Sequence, residues 1–311
     1  MKRNIVIIAG PTAVGKTEYA IKIAQNLGGE IVSADSMQIY RYMNIGSAKP
    51  TKEELAQARH YMVDEIDPKT DFSVAEYQKK AKECIAQIFD KNALPIISGG
   101  TGLYVNSLIY DMDFSVIPKQ TQFRKQLQKE AETYGNEFIH EKLRKKDPKA
   151  AERIHPNNVK KVIRALEILE SGETDVREFE ESFVKTKDYE VILVGLNRNR
   201  DELYERINHR VDLLMKAGLL QEIQQLLDIG LTESNISMKG IGYKELIDYF
   251  HGAYSLEEAV ERIKKNTRHY AKRQLTWFRR YKEMQWFNLS EFECSQKAEE
   301  AILNYIKSNL P

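Results

Sequence analysis

The chain has 311 residues, and its 47 Lys and Arg nearly balance 46 Asp and Glu, leaving a formal net charge of +1. Global charge therefore excludes nothing and indicates no nucleic-acid partner; only local clusters could do so. Two cysteines, Cys84 and Cys294, are too few for a disulfide framework or an all-cysteine zinc site. We predict a reduced, cytoplasmic protein without a signal peptide, and no apolar run is long enough to span a membrane.

Strands and helices alternate in the first third of the chain. Strands are predicted at Asn4–Ala9, Glu30–Asp35, Tyr61–Ile66 and Leu94–Gly100, and helices at Glu18–Leu27, at Ser73–Lys91 with Ser73 as N-cap, and from Thr101 onward. This alternation favours a parallel sheet with helices on both faces.

The character of the sequence then changes. Residues 116–189 are charged, helix-rich and without an apolar strand, so we predict a helical insertion domain there. The run Glu190–Arg200 is a further apolar strand, and helices are predicted to dominate after it. The expected organisation is an α/β core of residues 1–115 and 190–311, with basic C-terminal helices, interrupted by the insertion.

The stretch GPTAVGKT fits the phosphate-loop pattern G-x-x-x-x-G-K-[ST] at every fixed position, between a predicted strand and a predicted helix. Its two glycines allow the backbone to turn N–H groups around phosphate oxygens, and the helix start adds its positive end. Lys16 supplies a positive charge, and the Thr17 hydroxyl would ligate Mg²⁺. The fold class is therefore predicted as α/β, a P-loop NTPase-like parallel sheet flanked by helices. The predicted diphosphate-binding residues are Gly10, Pro11, Thr12, Ala13, Val14, Gly15, Lys16 and Thr17.

The acidic strand end that usually helps a phosphate loop to hold Mg²⁺ is missing. The strand Leu94–Gly100 ends in Ser98 and two glycines, and the nearest acid is Asp35, at the end of the second strand. Because strand ends line the ligand crevice in such sheets, Asp35 is expected near the loop. Its position alone leaves open a Mg²⁺ ligand, a general base or a helix cap. Thr101, in a second glycine turn, could contact phosphate or a polar substrate atom.

The segment Arg262–Lys282 contains many Lys and Arg, four aromatic residues and no acid. Its cations, among them Arg268, Lys272 and Arg273, suit contact with an RNA backbone, and interleaved aromatic residues suit stacked bases. We predict phosphate contact for the cations as a set. Trp277 and Phe278 are instead predicted to be core residues.

Two smaller clusters of cations also lie on predicted helices. In the insertion, Lys160, Lys161 and Arg164 form a positive face one helical turn long. Further along the chain, Arg206 and Arg210 are one turn apart, so that one or both could reach a phosphate in the crevice. For Arg206 a surface salt bridge is the favoured interpretation.

Seven ordered motifs resemble those of the bacterial tRNA dimethylallyltransferases: GPTAVGKT, SADSMQIYR, SGGTGLY, IHPNNVKKVIRALEIL, HRVDLLMKAGLLQEI, KGIGYKEL and TRHYAKRQLTWFRR. They span nearly the whole chain. The resemblance implies transfer of a dimethylallyl group from dimethylallyl diphosphate to N6 of an adenosine adjacent to the anticodon in tRNA, with release of diphosphate. No water would need activation, which agrees with the missing acid.

The resemblance also implies roles for particular residues. Asp35 looks like the general base, Thr101 like a catalytic-site residue, and Arg210, with Lys16, like a stabiliser of the departing diphosphate. The expected cofactor is Mg²⁺ at Thr17, with no zinc, and the expected partner is the anticodon stem-loop of tRNA, bound by a monomer. With the basic segment included, the expected tRNA-binding residues are Asp35, Ser36, Met37, Gln38, Thr101, Val159, Lys160, Lys161, Val162, Ile163, Arg268, Lys272 and Arg273.

Three other functions fit part of the sequence. A P-loop kinase of a small metabolite or nucleoside would use the same loop, but the missing acid and the basic stretches count against it. A prenyltransferase acting on free adenine nucleotides would share the chemistry, but the insertion and the basic segment favour tRNA. A non-catalytic RNA-binding protein with a vestigial loop is disfavoured because Gly10, Gly15, Lys16, Thr17 and Asp35 are all intact.

Overall fold

The computed structural model describes residues 3–112, 121–172, 176 and 184–311. The chain divides into two compact units, a larger one of Met1–Ile109 with Thr186–Pro311, and a smaller one of Tyr110–Lys185. The domain boundary expected at residue 116 lies outside the described residues. No helix in the described ranges is long and apolar enough to cross a membrane.

The larger unit is built on a parallel sheet. Within the described residues its six strands are β1 (Asn4–Ala9), β2 (Gly29–Ala34), β3 (His60–Tyr61), β4 (Leu94–Gly99), β5 (Glu190–Asn197) and β6 (Gln285–Asn288). Their order across the sheet is β3-β2-β4-β1-β5-β6, and every pairing is parallel. The central strand β1 is buried from its second residue onward, as an apolar strand covered on both faces should be. The predicted α/β, P-loop NTPase-like class is confirmed.

The helices flank this sheet and also make up the smaller unit. In chain order the α-helices of the described residues are α1 (Lys16–Leu27), α2 (Lys52–Gln57), α3 (Val74–Asp90), α4 (Gly102–Ile109), α5 (Thr121–Tyr134), α6 (Asn136–Lys146), α7 (Pro148–Arg153), α8 (Val159–Glu170), α9 (Arg200–Lys216), α10 (Leu219–Asp228), α11 (Tyr243–Phe250), α12 (Leu256–Phe278) and α13 (Ser295–Asn309). The predicted cap of α3 is confirmed, because the Ser73 side chain accepts a hydrogen bond from the Glu76 N–H and the Glu76 side chain bonds back to the Ser73 N–H.

A hydrophobic core joins the sheet to the helices at both ends of the chain. Ile8 of β1 and Val194 of β5 pack in one cluster with Ile23 of α1 and Ile302 of α13, all of them fully buried. This cluster anchors α1, and with it the turn that precedes the helix.

Two strand predictions need correction. The strand predicted at Tyr61–Ile66 ends at Tyr61, because Met62 and Asp64 adopt φ angles of 62° and 60°, which no extended strand allows. In the other direction, β6 was not predicted, and it lies in a region expected to be helical. Its four residues pair with the last four of β5, from Val194 to Asn197.

The smaller unit has its own core. Side chains from α5, α6, α7 and α8 form one buried cluster, which includes Leu127, Ile139, Val162 and Leu166. The fully buried Glu167 is held by a bidentate pair with Arg124, from Nε to Oε1 at 3.0 Å and from Nη2 to Oε2 at 2.5 Å. The described residues of this unit thus include the helices that the insertion was expected to contain.

Candidate active site

The phosphate loop follows the carboxyl end of β1 and ends at the start of α1. Gly15, the residue before that helix, has a φ of 113°, and Ala13 has a φ of 63°. Only glycine adopts the first angle without strain. A β-carbon on Gly10 would lie 2.5 Å from the backbone oxygen of Leu196 in β5. Each glycine of the motif is therefore required for its own steric reason: Gly15 for its backbone angle, and Gly10 for the close approach of β5.

Two arginines hold the backbone of the loop. Arg206 Nε donates to the Ala13 oxygen at 3.0 Å, and Arg198 Nε donates to the Val14 oxygen at 3.1 Å. Because the C=O and N–H of one peptide point in opposite directions, fixing these carbonyls also fixes the next N–H groups on the other side of the chain. The predicted surface salt bridge of Arg206 is wrong, since in the described part of the protein this arginine pairs with the loop instead.

Lys16 and Arg210 lie in the electrostatic field of Asp35. Burial lowers the pKa of Lys16 to about 8; Asp35 opposes this shift and Arg210 adds to it. Burial also lowers the pKa of Arg210, again opposed by Asp35. The Lys16 ammonium donates to the Pro11 oxygen at 2.8 Å. Two cations and one carboxylate predicted from distant parts of the sequence are thus brought together.

A cavity of about 610 Å³ opens beside the loop. Its wall includes Lys16, Thr17, Asp35 and Arg210, all predicted site residues. Apolar residues also line it, namely Ala13, Ala20, Ile31, Ala48, Pro50, Leu213 and Leu214. This mixed lining suits a ligand that combines an anionic group with a short apolar one.

Asp35 follows the last residue of β2. Its Oδ1 accepts hydrogen bonds from the N–H groups of Met37 at 2.9 Å and Gln38 at 3.3 Å. Within the described chain its Oδ2 has no hydrogen-bond partner, so this oxygen can accept a hydrogen bond from a bound substrate. The helix-cap alternative is wrong, because residues 36–39 form turns and not a helix.

The second glycine turn supports the segment that carries Asp35. Thr101 Oγ1 accepts a hydrogen bond from the Ser36 N–H at 3.0 Å and donates to Ser36 Oγ at 3.3 Å. A β-carbon on Gly99 would lie 2.2 Å from the oxygen of Ala34, so the turn lies tightly against the end of β2. Thr101 therefore braces the turn after Asp35.

Gln38 is tied to its surroundings at both ends of its amide. Its Oε1 accepts from Ser33 Oγ at 3.1 Å, and its Nε2 donates to the Ala48 oxygen at 3.1 Å. Gln38 also lines the cavity. Ser36 and Met37 are half-buried like Gln38 but are not part of the cavity wall. A tRNA contact through Gln38 would therefore use a side chain that is already held in place.

The basic segment is less uniform than its sequence suggests. Arg262 pairs with Glu258 at 2.6 Å, and Lys264 pairs with Asp212 at 2.9 Å and Glu261 at 3.1 Å. The positive charge at the start of the segment is thus neutralised by acids outside it, from the preceding turn of α12 and from α9. The argument from unbalanced charge fails for these two cations.

Cations further along α12 are more accessible. Lys272 and Arg273 are exposed and, within the described residues, form no ion pair. Arg268 is half-buried and donates to Asn208 Oδ1 at 2.5 Å. Phe278 is fully buried, which confirms its prediction as a core residue, and Trp277 is half-buried.

In the smaller unit, the predicted tRNA segment begins α8. Lys160 and Lys161 are exposed, whereas the side chains of Val162 and Ile163 are 0% and 3% exposed in the unit's own core. Arg164, the third cation of the predicted positive face, pairs with Glu167 at 3.4 Å, so its charge is partly neutralised. Contact through this segment would fall to the two lysines and to the backbone near the half-buried Val159.

Several cavity residues were not predicted. Gln274 of α12 accepts from the Thr12 N–H at 2.9 Å, so a diphosphate contact of Thr12 would use its side chain. Tyr270 lines the cavity, and burial, aided by Asp35, raises its pKa to about 12. His60 also lines it, with its pKa lowered by burial. Tyr270 and Gln274 both lie in the basic segment, but the signal there came from its cations and aromatic residues and not from an amide; no motif marked His60.

Comparison with known proteins identifies the family. A family model described as IPP transferase matches residues 38–281. The chain is 51% identical to the tRNA dimethylallyltransferase of Alkaliphilus oremlandii over 309 residues, covering 99% of both chains. It is 52% identical to that of Alkaliphilus metalliredigens over 308 residues, covering 99% of this chain and 98% of the relative.

The chain belongs to the tRNA dimethylallyltransferase family. Solved structures agree with this assignment. The full-length tRNA isopentenylpyrophosphate transferase of Bacillus halodurans superposes with a TM-score of 0.74 at 42% identity, covering 99% of this chain and 96% of that one. A eukaryotic dimethylallyltransferase acting on tRNA superposes with a TM-score of 0.84 at 28% identity, covering 99% of this chain and 80% of that one. The resemblance inferred from the seven motifs is therefore confirmed, and it extends over nearly the whole chain.

Proposed function

We propose that this chain transfers a dimethylallyl group from dimethylallyl diphosphate to N6 of an adenosine adjacent to the anticodon in tRNA. The observation that carries the proposal is the cavity beside the phosphate loop, whose wall includes Asp35 within the field of Lys16 and Arg210, with one carboxylate oxygen that accepts no hydrogen bond from any described residue. Since the acceptor is tRNA, we expect the reaction to take place in the cytoplasm; we also expect the chain to act as a monomer.

The reaction balances with these groups. The N6–carbon bond forms as the allylic carbon–oxygen bond breaks, and the diphosphate leaves with the electron pair of that bond. The N6 proton passes to Oδ2 of Asp35. Lys16, Arg210 and the N–H groups of the loop stabilise the growing negative charge of the leaving group.

The residues at the loop also fit Mg²⁺. Mg²⁺ prefers oxygen ligands, keeps several waters and binds through few protein groups plus substrate phosphates. Within the described residues no cluster of three or more His, Cys, Asp or Glu could hold a metal, but Thr17 lines the cavity beside the loop. Thr17 would hold the ion together with diphosphate oxygens, and the ion would supply charge neutralisation of the leaving group.

The adenine must leave its stack to reach Asp35, at a cost of a few kcal/mol. We propose that exposed cations hold the RNA in the meantime: Lys272 and Arg273 on α12, and Lys160 and Lys161 on α8. The smaller unit would thus bind the anticodon stem-loop.

The test is an Asp35→Asn variant, incubated with dimethylallyl diphosphate, Mg²⁺ and unmodified tRNA. Loss of the proton acceptor should lower the transfer rate by about 10²- to 10⁴-fold, measured by mass analysis of digested nucleosides. The Kd for tRNA should change little, because the amide keeps the size of the carboxylate. Equal losses of rate and affinity would contradict the role of general base.

The kinase alternative is tested in the same assay. ATP in place of the prenyl donor should give no phosphorylated product and no consumption of ATP. Free AMP in place of tRNA should not be prenylated at a comparable rate, since the cations proposed to hold RNA would have no partner. Turnover of ATP without a prenyl donor would favour the kinase.

A further inference from the structure

The buried amide of Gln274 connects two turns of the site. Gln274 lies on α12 with 6% of its surface exposed, next to the exposed Arg273. Its Oε1 accepts from the Thr12 N–H at 2.9 Å, and its Nε2 donates to the Gly100 oxygen at 2.9 Å. One planar group therefore joins the phosphate loop to the second glycine turn, through its acceptor on one side and its donor on the other.

These two turns serve opposite sides of the proposed reaction. Thr12 belongs to the loop that would hold the diphosphate. Gly100 precedes Thr101, which accepts a hydrogen bond from the Ser36 N–H directly after Asp35. A chain of contacts that runs through Gln274 thus connects the loop that would hold the leaving group to the turn that carries the base.

The packing of α12 leaves little freedom around this amide. A β-carbon on Gly100 would lie 2.2 Å from Gln274 Nε2. Trp277 lies one turn after Gln274 on α12, and a β-carbon on Gly102 would lie 2.3 Å from its Cδ1. The helix is therefore held against the second glycine turn at two points, and the two glycines make that approach possible.

We propose that Gln274 is a positioning residue for the transfer step, an inference that rests on the proposed function. Its amide sets the distance between the diphosphate cradle and the turn that carries Asp35. Reactions between two bound groups depend steeply on geometry, and a misplacement of about 1 Å costs about 100-fold in rate. Gln274 thus acts on the chemical step, whereas affinity for each substrate depends on other residues.

Gln274→Met tests this, because methionine has a similar length but forms neither hydrogen bond. With saturating substrates, the single-turnover rate of transfer should fall about 100-fold. The Kd values for inorganic pyrophosphate and for tRNA should each stay within about threefold of wild type. A rate within about threefold of wild type, or affinity losses as large as the rate loss, would overturn the inference.

Gln274→Glu separates the two hydrogen bonds. The carboxylate keeps the acceptor for Thr12 but has no proton for the Gly100 oxygen, so two oxygens would face each other. The rate should fall at least as far as in Gln274→Met. A Glu variant as active as wild type would show that donation to Gly100 is not required.

A matched control distinguishes positioning from folding. Ile263→Val removes one buried methyl group from the same helix, at a residue 2% exposed and outside the cavity lining. At a comparable fall in denaturation midpoint it should leave the single-turnover rate within about threefold of wild type. A loss equal to that of Gln274→Met would assign Gln274 a merely structural role.

Gly100→Ala is an independent probe, because its methyl group must displace the Gln274 amide. It should lower the rate to a similar extent, and combining it with Gln274→Met should add little, since both act on one contact. Fully additive losses would contradict the shared contact. A wild-type chain that transfers no dimethylallyl group to tRNA would overturn the proposed function and this inference with it, whereas an active wild type with an unimpaired Gln274→Met variant would overturn this inference alone.

Discussion

Lys16 has the usual role of a phosphate-loop lysine in an unusually buried environment. In a phosphate loop the lysine serves as a positive charge, yet here burial lowers its pKa from 10.5 to about 8. A bound diphosphate favours the protonated form and raises this pKa again. Binding of the donor is therefore linked to a proton at mildly alkaline pH.

The affinity for a nonreactive alkyl diphosphate should consequently fall as pH rises through about 8, approaching tenfold per pH unit above that value. Calorimetric titrations between about pH 7 and pH 9.5 would measure this. A Lys16→Met variant should bind more weakly at pH 7 and lose most of the dependence. An unchanged slope in the variant would show that another group titrates.

Single residues also show what sequence reasoning can and cannot reach. Lys16, Thr17, Asp35 and Arg210 were predicted because local motifs or the resemblance identified them, and the structure brings all four to one cavity. The loop contact of Arg206 was not predicted, because Arg206 and Ala13 are 193 residues apart in the chain. Spacing along a helix shows which residues share a face, but not what that face touches.

At the scale of elements, α10 and α11 clamp the loop that follows β2. Glu222 of α10 is 7% exposed, and its carboxylate accepts from the backbone N–H groups of Asn44, Ile45 and Gly46 at 2.7, 2.6 and 2.9 Å. The Tyr243 hydroxyl of α11 donates to it at 2.9 Å. Burial, with the nearby Glu222, raises the pKa of Tyr243, so the hydroxyl stays protonated as a donor.

Replacing Glu222 should therefore destabilise the protein. In Glu222→Gln an NH₂ group would face backbone N–H donors, and we expect the free energy of unfolding to fall by roughly 1.5–3 kcal/mol. Denaturant titration would measure it. Gln221→Ala, at an exposed site on the same helix, should cost less than about 0.5 kcal/mol; a loss as large as that of Glu222→Gln would point to the helix and not to the clamp.

Elements with strong local signals were predicted well, and those made by distant pairing were not. The cap at Ser73 and the strand Leu94–Gly99 follow from their own residues. The helix Lys52–Gln57 was not predicted, although the sequence pattern of Thr51 and Glu54 is that of a capping box and indicates a helix start. The strand Gln285–Asn288 depends on pairing with β5, which no short window of sequence contains.

For the molecule as a whole, a net charge of +1 means that attraction to tRNA must come from local groups. The slope of log Kd against log salt concentration falls by about 0.7 to 0.9 for each phosphate contact that is lost. The exposed pair Lys160 and Lys161 should therefore contribute about 1.4 to 1.8 to that slope.

A Lys160→Gln/Lys161→Gln double variant, titrated with tRNA across a salt series, would test this. The matched control is Lys297→Gln/Lys307→Gln, which removes two exposed lysines from α13 and should leave the slope unchanged. Equal reductions in both variants would mean that binding responds to total charge, and the assignment of α8 to the RNA would fail.

The central place of β1 has a consequence for biosynthesis. Asn4 pairs with Glu190, so the first strand to leave the ribosome keeps one edge open until a late part of the message has been translated. The helices of the smaller unit emerge in the meantime with a core of their own. Nascent chains that stop before Glu190 should therefore be the species most in need of a chaperone.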